Sequence, residues 1–301
     1  MYTYAWYHWL TFFYIYCFFG WIFESAYVSL KKQQLVNRGF LRLPMLPLYG
    51  TGAVMMLWVS LPVRKHLFLV YCSGFIAATL LEYVTGYLME LLFKVRYWDY
   101  SNQRFNINGY ICLSSSIAWG FLTILMTEVI HRPIEHFVLE LAPAAESSFL
   151  VVISGLFLYD TVHSVREALS LARALEAVTK LRAELEDIQV QLALLKAEAS
   201  QNVQNLTESV KDTVIETVRE SALAQKEAFD ARKEAFGTRK ESLEARISAL
   251  SERLTEKAES LQLHVNIRRP SILRRNPEAV SSRFAAALKE LRTSWESHRA
   301  G

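Results

Sequence analysis

The chain has 301 residues, 52% of them hydrophobic and 21% charged, with a formal net charge of +3. So small a charge gives no reason to expect a nucleic-acid partner. The composition also rules out one uniform globular core: six of the seven Trp lie before residue 166, while the stretch from Glu167 onward is rich in Ala, Leu, Glu, Lys, Arg and Gln. The pattern predicts an all-α chain: a polytopic transmembrane helical bundle over 1–166, a helical coiled coil over 167–265, and a basic linker with a short amphipathic helix over 266–301.

A helix needs about 20 apolar residues to cross the hydrocarbon core of a bilayer. Five segments qualify or come close: Ala5 to Leu30, Leu46 to Val63, Leu67 to Phe93, Gly109 to Ile130 and Phe149 to about Val165. The second is short and carries Pro47 near its start, so it reads as a span or as a re-entrant segment. The run before it, Phe40 to Pro47, holds two prolines and is not plain helix. Met1 to Tyr4 lacks the basic residues of a signal peptide, so the first apolar segment is expected to be retained. Cys17, Cys72 and Cys112 all sit in apolar runs without metal-ligand spacing and read as buried thiols, and no cofactor is implied.

Loop charges set the expected orientation. Lys31, Lys32, Arg38 and Arg42 follow the first segment, Lys94, Arg96 and Arg104 the third, and Arg166, Arg173, Lys180 and Arg182 the fifth. The other side carries only Arg64, Lys65 and Arg132. The excess of Lys and Arg on one side predicts the N-terminus outside, five spans, and a cytoplasmic C-terminal region at the plasma membrane.

Four acidic residues interrupt the apolar segments: Glu24, Glu82, Glu90 and Asp160. A carboxylate at membrane depth costs a few kcal/mol, so it faces a partner or a water-filled path. Glu82 and Glu90 are eight residues apart and share one helix face. Gly20 and Glu24 share another, which lets a neighbouring helix approach closely. Two readings stand: the carboxylates line a polar membrane pathway, or they pair with Arg38, Arg42, Arg96 or Arg104 at the boundary and lock the fold.

Two loops combine turn formers, aromatics and charge. One holds Asn37, Arg38, Gly39 and Phe40 and runs on through Pro44 to Tyr49-Gly50. The other holds Arg96, Trp98, Asp99, Tyr100 and Ser101, then Asn108-Gly109. Asp99 is placed to cap a turn or pair with Arg96 or Arg104, and Asn108-Gly109 to set the turn into the fourth segment.

Gly20-Trp21 with Glu24, Asn37-Arg38-Gly39-Phe40-Leu41, Pro47-Leu48-Tyr49-Gly50, Glu82-Tyr83 with Glu90, Trp98-Asp99-Tyr100-Ser101, Asn108-Gly109 with Ile111-Cys112-Leu113, and Trp119-Gly120 occur in that order. Together they resemble the bacterial ABC-transporter permease family of type IV, or CmpB-like, over roughly residues 5 to 165. Two positions depart from the family's pattern. Leu43 stands where it has a glycine, and Tyr110 where it usually has an arginine, so any carboxylate which that arginine neutralises must be neutralised here another way. The resemblance implies a transport component. The chain has no G-x-x-x-x-G-K-[ST] loop, so an ABC system would need a separate ATPase subunit, docking on the two cytoplasmic loops.

Beyond the fifth segment, Ala174, Val178, Leu181, Leu185, Ile188, Leu192, Leu195, Ala199, Asn202 and Leu206 step by three and four. A second run follows through Leu243, Ile247, Leu250, Leu254 and Leu261. Between them Val210, Val214 and Val218 break register. So narrow a stripe must pair with another copy or fold back as a hairpin; a parallel homo-oligomer is the favoured form, with Asn202 fixing register. Arg268, Arg269, Arg274 and Arg275 form a basic linker. Phe284, Leu288, Leu291 and Trp295 make one apolar face of a final helix, expected to dock on a partner or on the coil.

Three functions compete on this reading. The first is a transport component moving a solute or ion past Glu24 and Glu82; the second is a membrane-anchored coiled-coil scaffold, sensor or oligomeric channel. An enzyme is disfavoured, because neither a Ser/His/Asp arrangement nor a metal-protease motif is present. His131 and His136 are expected to flank a loop outside the membrane. The partners expected are membrane lipid, further copies of the chain, and the ATPase subunit.

Overall fold

The computed structural model describes residues 4–217, 222–265 and 271–300. Sequence expectations for Met1–Thr3, the Val210–Val218 step, the Arg268–Pro270 linker and the Trp295 side chain fall wholly or partly outside the described residues. Apart from turns and two isolated β-bridges, the described residues are helical. They form two compact units: Met1–Leu175 together with Arg268–Gly301, and Glu176–Ile267. The last stretch, read from the sequence as a separate region, belongs to the same unit as the apolar helices.

In the first unit, α1 spans Trp6–Lys32 and α2 spans Pro47–Ser60, continued by a 3-10 turn at Leu61–Val63. Helix α3 spans Leu67–Phe93. Helix α4 (Leu113–Leu125) passes through a π-helical turn, Met126–Ile130, into α5 (His131–Leu139). Helix α6 begins at Pro143 and runs to Thr217.

The helix ends follow local chemistry. Helix α2 starts with Pro47 in its first turn, where a missing N–H costs nothing. Helices α1 and α3 stop where Gln33 (φ 53°) and Lys94 (φ 61°) turn left-handed and their N–H groups bond back to Ser29 and Glu90. The fourth apolar stretch is displaced from the expected Gly109–Ile130. A tight turn occupies Asn108 and Gly109, Cys112 and Ser115 cap the helix, and it continues to Leu139. His131, expected to flank a loop, therefore lies within the helix and is 1% exposed.

Among the described residues, four helices are long and apolar enough to cross a membrane: Trp6–Lys32, Leu67–Phe93, Leu113–Leu139 and the helix beginning at Pro143. The shorter Pro47–Val63 runs between the same two ends of the bundle. Near its start the Tyr49 hydroxyl meets Glu24, and just past its end Arg64 meets Glu128. At 1.5 Å per α-helical and 2.0 Å per 3-10 residue, that piece is about 27 Å long, close to the ~30 Å hydrocarbon core. Large apolar side chains face outward, including Phe23, Phe68, Ile76, Phe121 and Val151, each more than 60% exposed. A soluble protein does not leave so wide an apolar surface bare, whereas lipid covers it at no cost.

The interior is drawn tight by small residues. A Cβ on Gly74 of α3 would lie 1.9 Å from Thr123 Oγ1, and one on Gly120 of α4 would lie 2.5 Å from the Tyr71 ring. The two glycines interlock reciprocally across an antiparallel pair, which permits backbone approach no other residue allows. On α1, a Cβ at Gly20 would lie 2.3 Å from Tyr49 Cβ, so α2 packs onto α1 at the expected position.

In the second unit, the distal part of α6 and α7 (Ala222–Val265) lie antiparallel. Glu184 pairs with Lys257 at 2.8 Å and Glu198 with Arg239 at 3.3 Å, while Ile188, Leu195 and Leu243 are buried. Of the two arrangements the stripe allows, the fold-back hairpin is the one made within a single chain. It covers Ile188, Leu195 and Leu243, while Val190 and Leu194 stay exposed.

Candidate functional site

The acidic residues collect at the end of the bundle that carries the two polar loops. Five helices and both loops build the site, and the carboxylates are not equivalent.

Glu24 accepts a hydrogen bond from the Tyr49 hydroxyl at 2.9 Å and lies 3.6 Å from Arg38 Nε. Arg38 is only 7% exposed and donates to the Tyr97 carbonyl at 2.9 Å, which fixes the first loop against the second. Asn37 accepts from Trp21 Nε1 at 2.7 Å and donates to the Arg42 carbonyl. Gly39, at φ 136°, makes the turn a side chain would obstruct. Glu24 is thus an ion-paired carboxylate held between α1, α2 and the first loop.

Glu82 is different. It is 5% exposed, and the partners described for it are Trp119 Nε1 at 2.8 Å, the Tyr100 hydroxyl at 3.1 Å and the Ser115 hydroxyl at 3.3 Å. All three are neutral donors, and among the described residues no cation pairs with it. The Gly74–Thr123 and Gly120–Tyr71 seam brings α4 close enough for Trp119 and Ser115 to reach. Burial first, and then the nearby Glu82 carboxylate, push the Tyr100 hydroxyl well above the usual phenol range. Tyr100 therefore stays protonated and remains a donor.

The second loop is shaped to present Tyr100. Asn108 (φ 53°) and Gly109 (φ 73°) are both left-handed, and Tyr110 N–H bonds to the Ile107 carbonyl at 3.1 Å, the geometry Asn-Gly adopts at a tight hairpin. Asp99 accepts from the Ser101 N–H and hydroxyl and lies 3.8 Å from Arg96. Asn108 donates to the Tyr83 hydroxyl at 3.0 Å, and Trp98 donates to the Tyr110 carbonyl at 2.9 Å. Trp98 and Tyr110 close over Gly86, midway between Glu82 and Glu90; a Cβ there would sit 3.2 and 3.1 Å from them.

Glu90 pairs with Arg96 at 2.5 Å and accepts from the Tyr110 hydroxyl at 2.5 Å. Arg96 also lies over the Tyr110 ring, 4.7 Å from its centroid. The departure at position 110 is thereby resolved: the tyrosine supplies a hydrogen bond, and the compensating charge comes from Arg96. Asp160 accepts from the backbone N–H groups of Arg42 and Leu43, each at 2.8 Å. These two bonds anchor the first loop to α6.

A second polar cluster, at the opposite end of the bundle, was not anticipated. Glu146, 1% exposed, accepts from Thr11 at 2.6 Å and lies 3.0 Å from His8. Tyr16 and Tyr4 hydroxyls meet the two ring nitrogens of His131 at 2.8 and 3.2 Å, and Tyr4 donates to Glu135. An open cleft of about 1320 Å³ adjoins it, lined by Trp9, Trp58, Arg64, Glu128 and Glu135 among others. The spacing of His8 and Thr11 on α1 and of His131 and Glu135 on α5 was the available signal. Each pair steps by three or four, as one helix face does.

Apolar helices long enough for a bilayer, with carboxylates buried among neutral donors and arginines at one end, define a helical membrane protein. A family model described as "Putative ABC-transporter type IV" matches residues 11–165, more than half of the chain, and the chain belongs to that family. Searches of curated proteins and of solved structures returned no match.

Proposed function

We propose that the chain is the membrane component of a transport system, and that a small solute or ion passes Glu24 and Glu82. Glu82 is the observation that carries this reading. A buried carboxyl group satisfied by hydroxyl and indole donors, rather than by a fixed cation, can exchange those donors for a proton or a cationic group at modest cost. Glu24, beside Arg38 and Tyr49, is the next polar group on the same end. Energy would come from a separate ATPase subunit on the loops around Arg38 and Tyr97. The orientation that fits the loop charges puts that end in the cytoplasm, with five passes through the plasma membrane.

Proteoliposomes holding the full chain test this by uptake or ion flux. Glu82→Gln should reduce the rate at least about tenfold, the cost of one substituted polar interaction of ~1.4 kcal/mol at the barrier, with the elution profile unchanged. Unchanged rates in both Glu24→Gln and Glu82→Gln would remove the reading. A membrane-anchored scaffold is the second reading, favoured by the separate compact hairpin of the second unit. Deleting Glu176–Ile267 separates the two, because a scaffold then loses its function whereas a transporter keeps flux.

A further inference from the structure

The segment after Ser271 lies across the two polar loops, and its contacts are those of a bound peptide. Val280 and Arg96 exchange both backbone hydrogen bonds, at 2.7 and 2.9 Å, the pairing by which an extended peptide adds to a receptor edge. Arg275, 7% exposed, donates to the Phe40 carbonyl at 3.0 Å and lies 3.6 Å from Glu167. Asn276 donates to the Gly39 carbonyl at 2.9 Å and Ser281 to the Lys94 carbonyl at 2.6 Å. Ser282 donates to Glu90, the outer carboxylate of the α3 face. Beneath these contacts Ile272, Leu273, Ala279, Phe284, Leu288 and Leu291 are all buried, none more than 6% exposed.

Two features separate this arrangement from ordinary core packing. The loops it covers carry motifs within the family match, which ends at residue 165, whereas the covering segment begins at 271. It is also joined to the bundle only through the whole of the second unit, Glu176–Ile267. A long tether of this kind holds a ligand at high effective concentration without a strong intrinsic affinity, so that a competitor in solution can displace it.

We propose that the loop face formed by Gly39, Phe40, Glu90, Lys94, Arg96 and Glu167 is a peptide-binding surface whose resident ligand is the chain's own segment 271–291. Bound in cis, the segment covers Glu90 and holds the face closed to the ATPase subunit proposed to dock there. Occupancy in cis stands on the contacts alone; the identity of the displaced partner rests on the transport reading.

The test uses the full chain in nanodiscs and a fluorescein-labelled synthetic peptide of residues 271–293. In an Arg275→Ala/Val280→Pro variant the cis segment should leave, so the variant should bind the peptide at least about tenfold more tightly than wild type. Equal binding by both, or binding by neither with a wild-type elution profile, overturns the proposal. Should that variant fail to fold, a milder set decides. Glu278 lies 3.0 Å from Lys31 and 3.6 Å from Lys32, all at the surface. Lys31→Glu/Lys32→Glu should speed amide exchange over 271–284 by up to about fivefold, and adding Glu278→Lys should restore it. No acceleration, or acceleration without restoration, overturns the proposal. Neither readout requires flux: occupancy in a protein that transports nothing would sink the transport reading and leave the cis contact standing.

Discussion

Replacing Gly74 with alanine probes the seam that places Trp119 and Ser115 on Glu82. The new Cβ would lie 1.9 Å from Thr123 Oγ1 and 2.3 Å from Thr123 Cβ. Ordinary contact needs roughly 3.5 Å, so α4 must retreat by more than an ångström or Thr123 must leave its rotamer. Overpacking of this kind costs about 1–3 kcal/mol, and the depth of this overlap puts it near ~3 kcal/mol. The Trp119–Glu82 bond, 2.8 Å long, would stretch beyond hydrogen-bond range with the same displacement. The assay is denaturant unfolding of the full chain in mixed micelles, alongside Gly74→Ala/Thr123→Gly and Gly155→Ala. The double variant should recover about 1–3 kcal/mol as coupling energy. Gly155, with nothing within 4 Å of its Cβ position, should lose nothing on substitution and gain up to about 1 kcal/mol of helix propensity. If Gly74→Ala unfolds with Gly155→Ala, or the Thr123 change fails to relieve it, the seam does not hold α4 on α3.

Further expectations concern the loops, the returning segment and the hairpin. Asp160→Ala strands the N–H groups of Arg42 and Leu43 and should cost about 2–4 kcal/mol, read as earlier proteolysis of residues 37–46 on denaturant titration. Glu278 is held below its ordinary carboxylate range, first by its hydrogen bond to Lys31 and then by charge. A depressed carboxylate stabilises above its unfolded pKa, so this contact is fully present at neutral pH and is lost as pH falls through the lowered value. The protection factors of the amides over 271–284 should accordingly fall as pH drops below the ordinary carboxylate range, and a Glu278→Gln chain should show no such fall. Lys257→Glu should weaken the hairpin slightly, and Glu184→Lys in the same chain should restore it, seen in the helical melting of the full chain. Failure of the second change to rescue the first would deny the antiparallel register.

How much could be read from the residues alone depended on range. Pro47 at the start of α2, Asn108-Gly109 at the tight turn, Gly20 opposite α2 and the Glu90–Arg96 pair were all legible, because each is decided by neighbours or by a helix face. Asp160 was legible as a buried charge but not as an anchor for Arg42 and Leu43, since its partners are backbone N–H groups more than a hundred residues away. Glu146, His8 and His131 were missed for the same reason: a histidine near a helix end looks exposed until a tyrosine from another helix covers it.

The sequence by itself determined which stretches are apolar enough for lipid, where the first three helices start and stop to within a few residues, and that acidic residues interrupt them. Those properties follow from side-chain transfer energies and backbone geometry over a few residues. Only the tertiary structure decided that Glu82 meets neutral donors while Glu24 meets Arg38, that the distal helix folds back on itself, and that residues 271–291 return to the loops. A heptad stripe or an amphipathic tail specifies only that an apolar face must be covered. Which surface covers it is a long-range choice, made by the whole set of competing contacts at once.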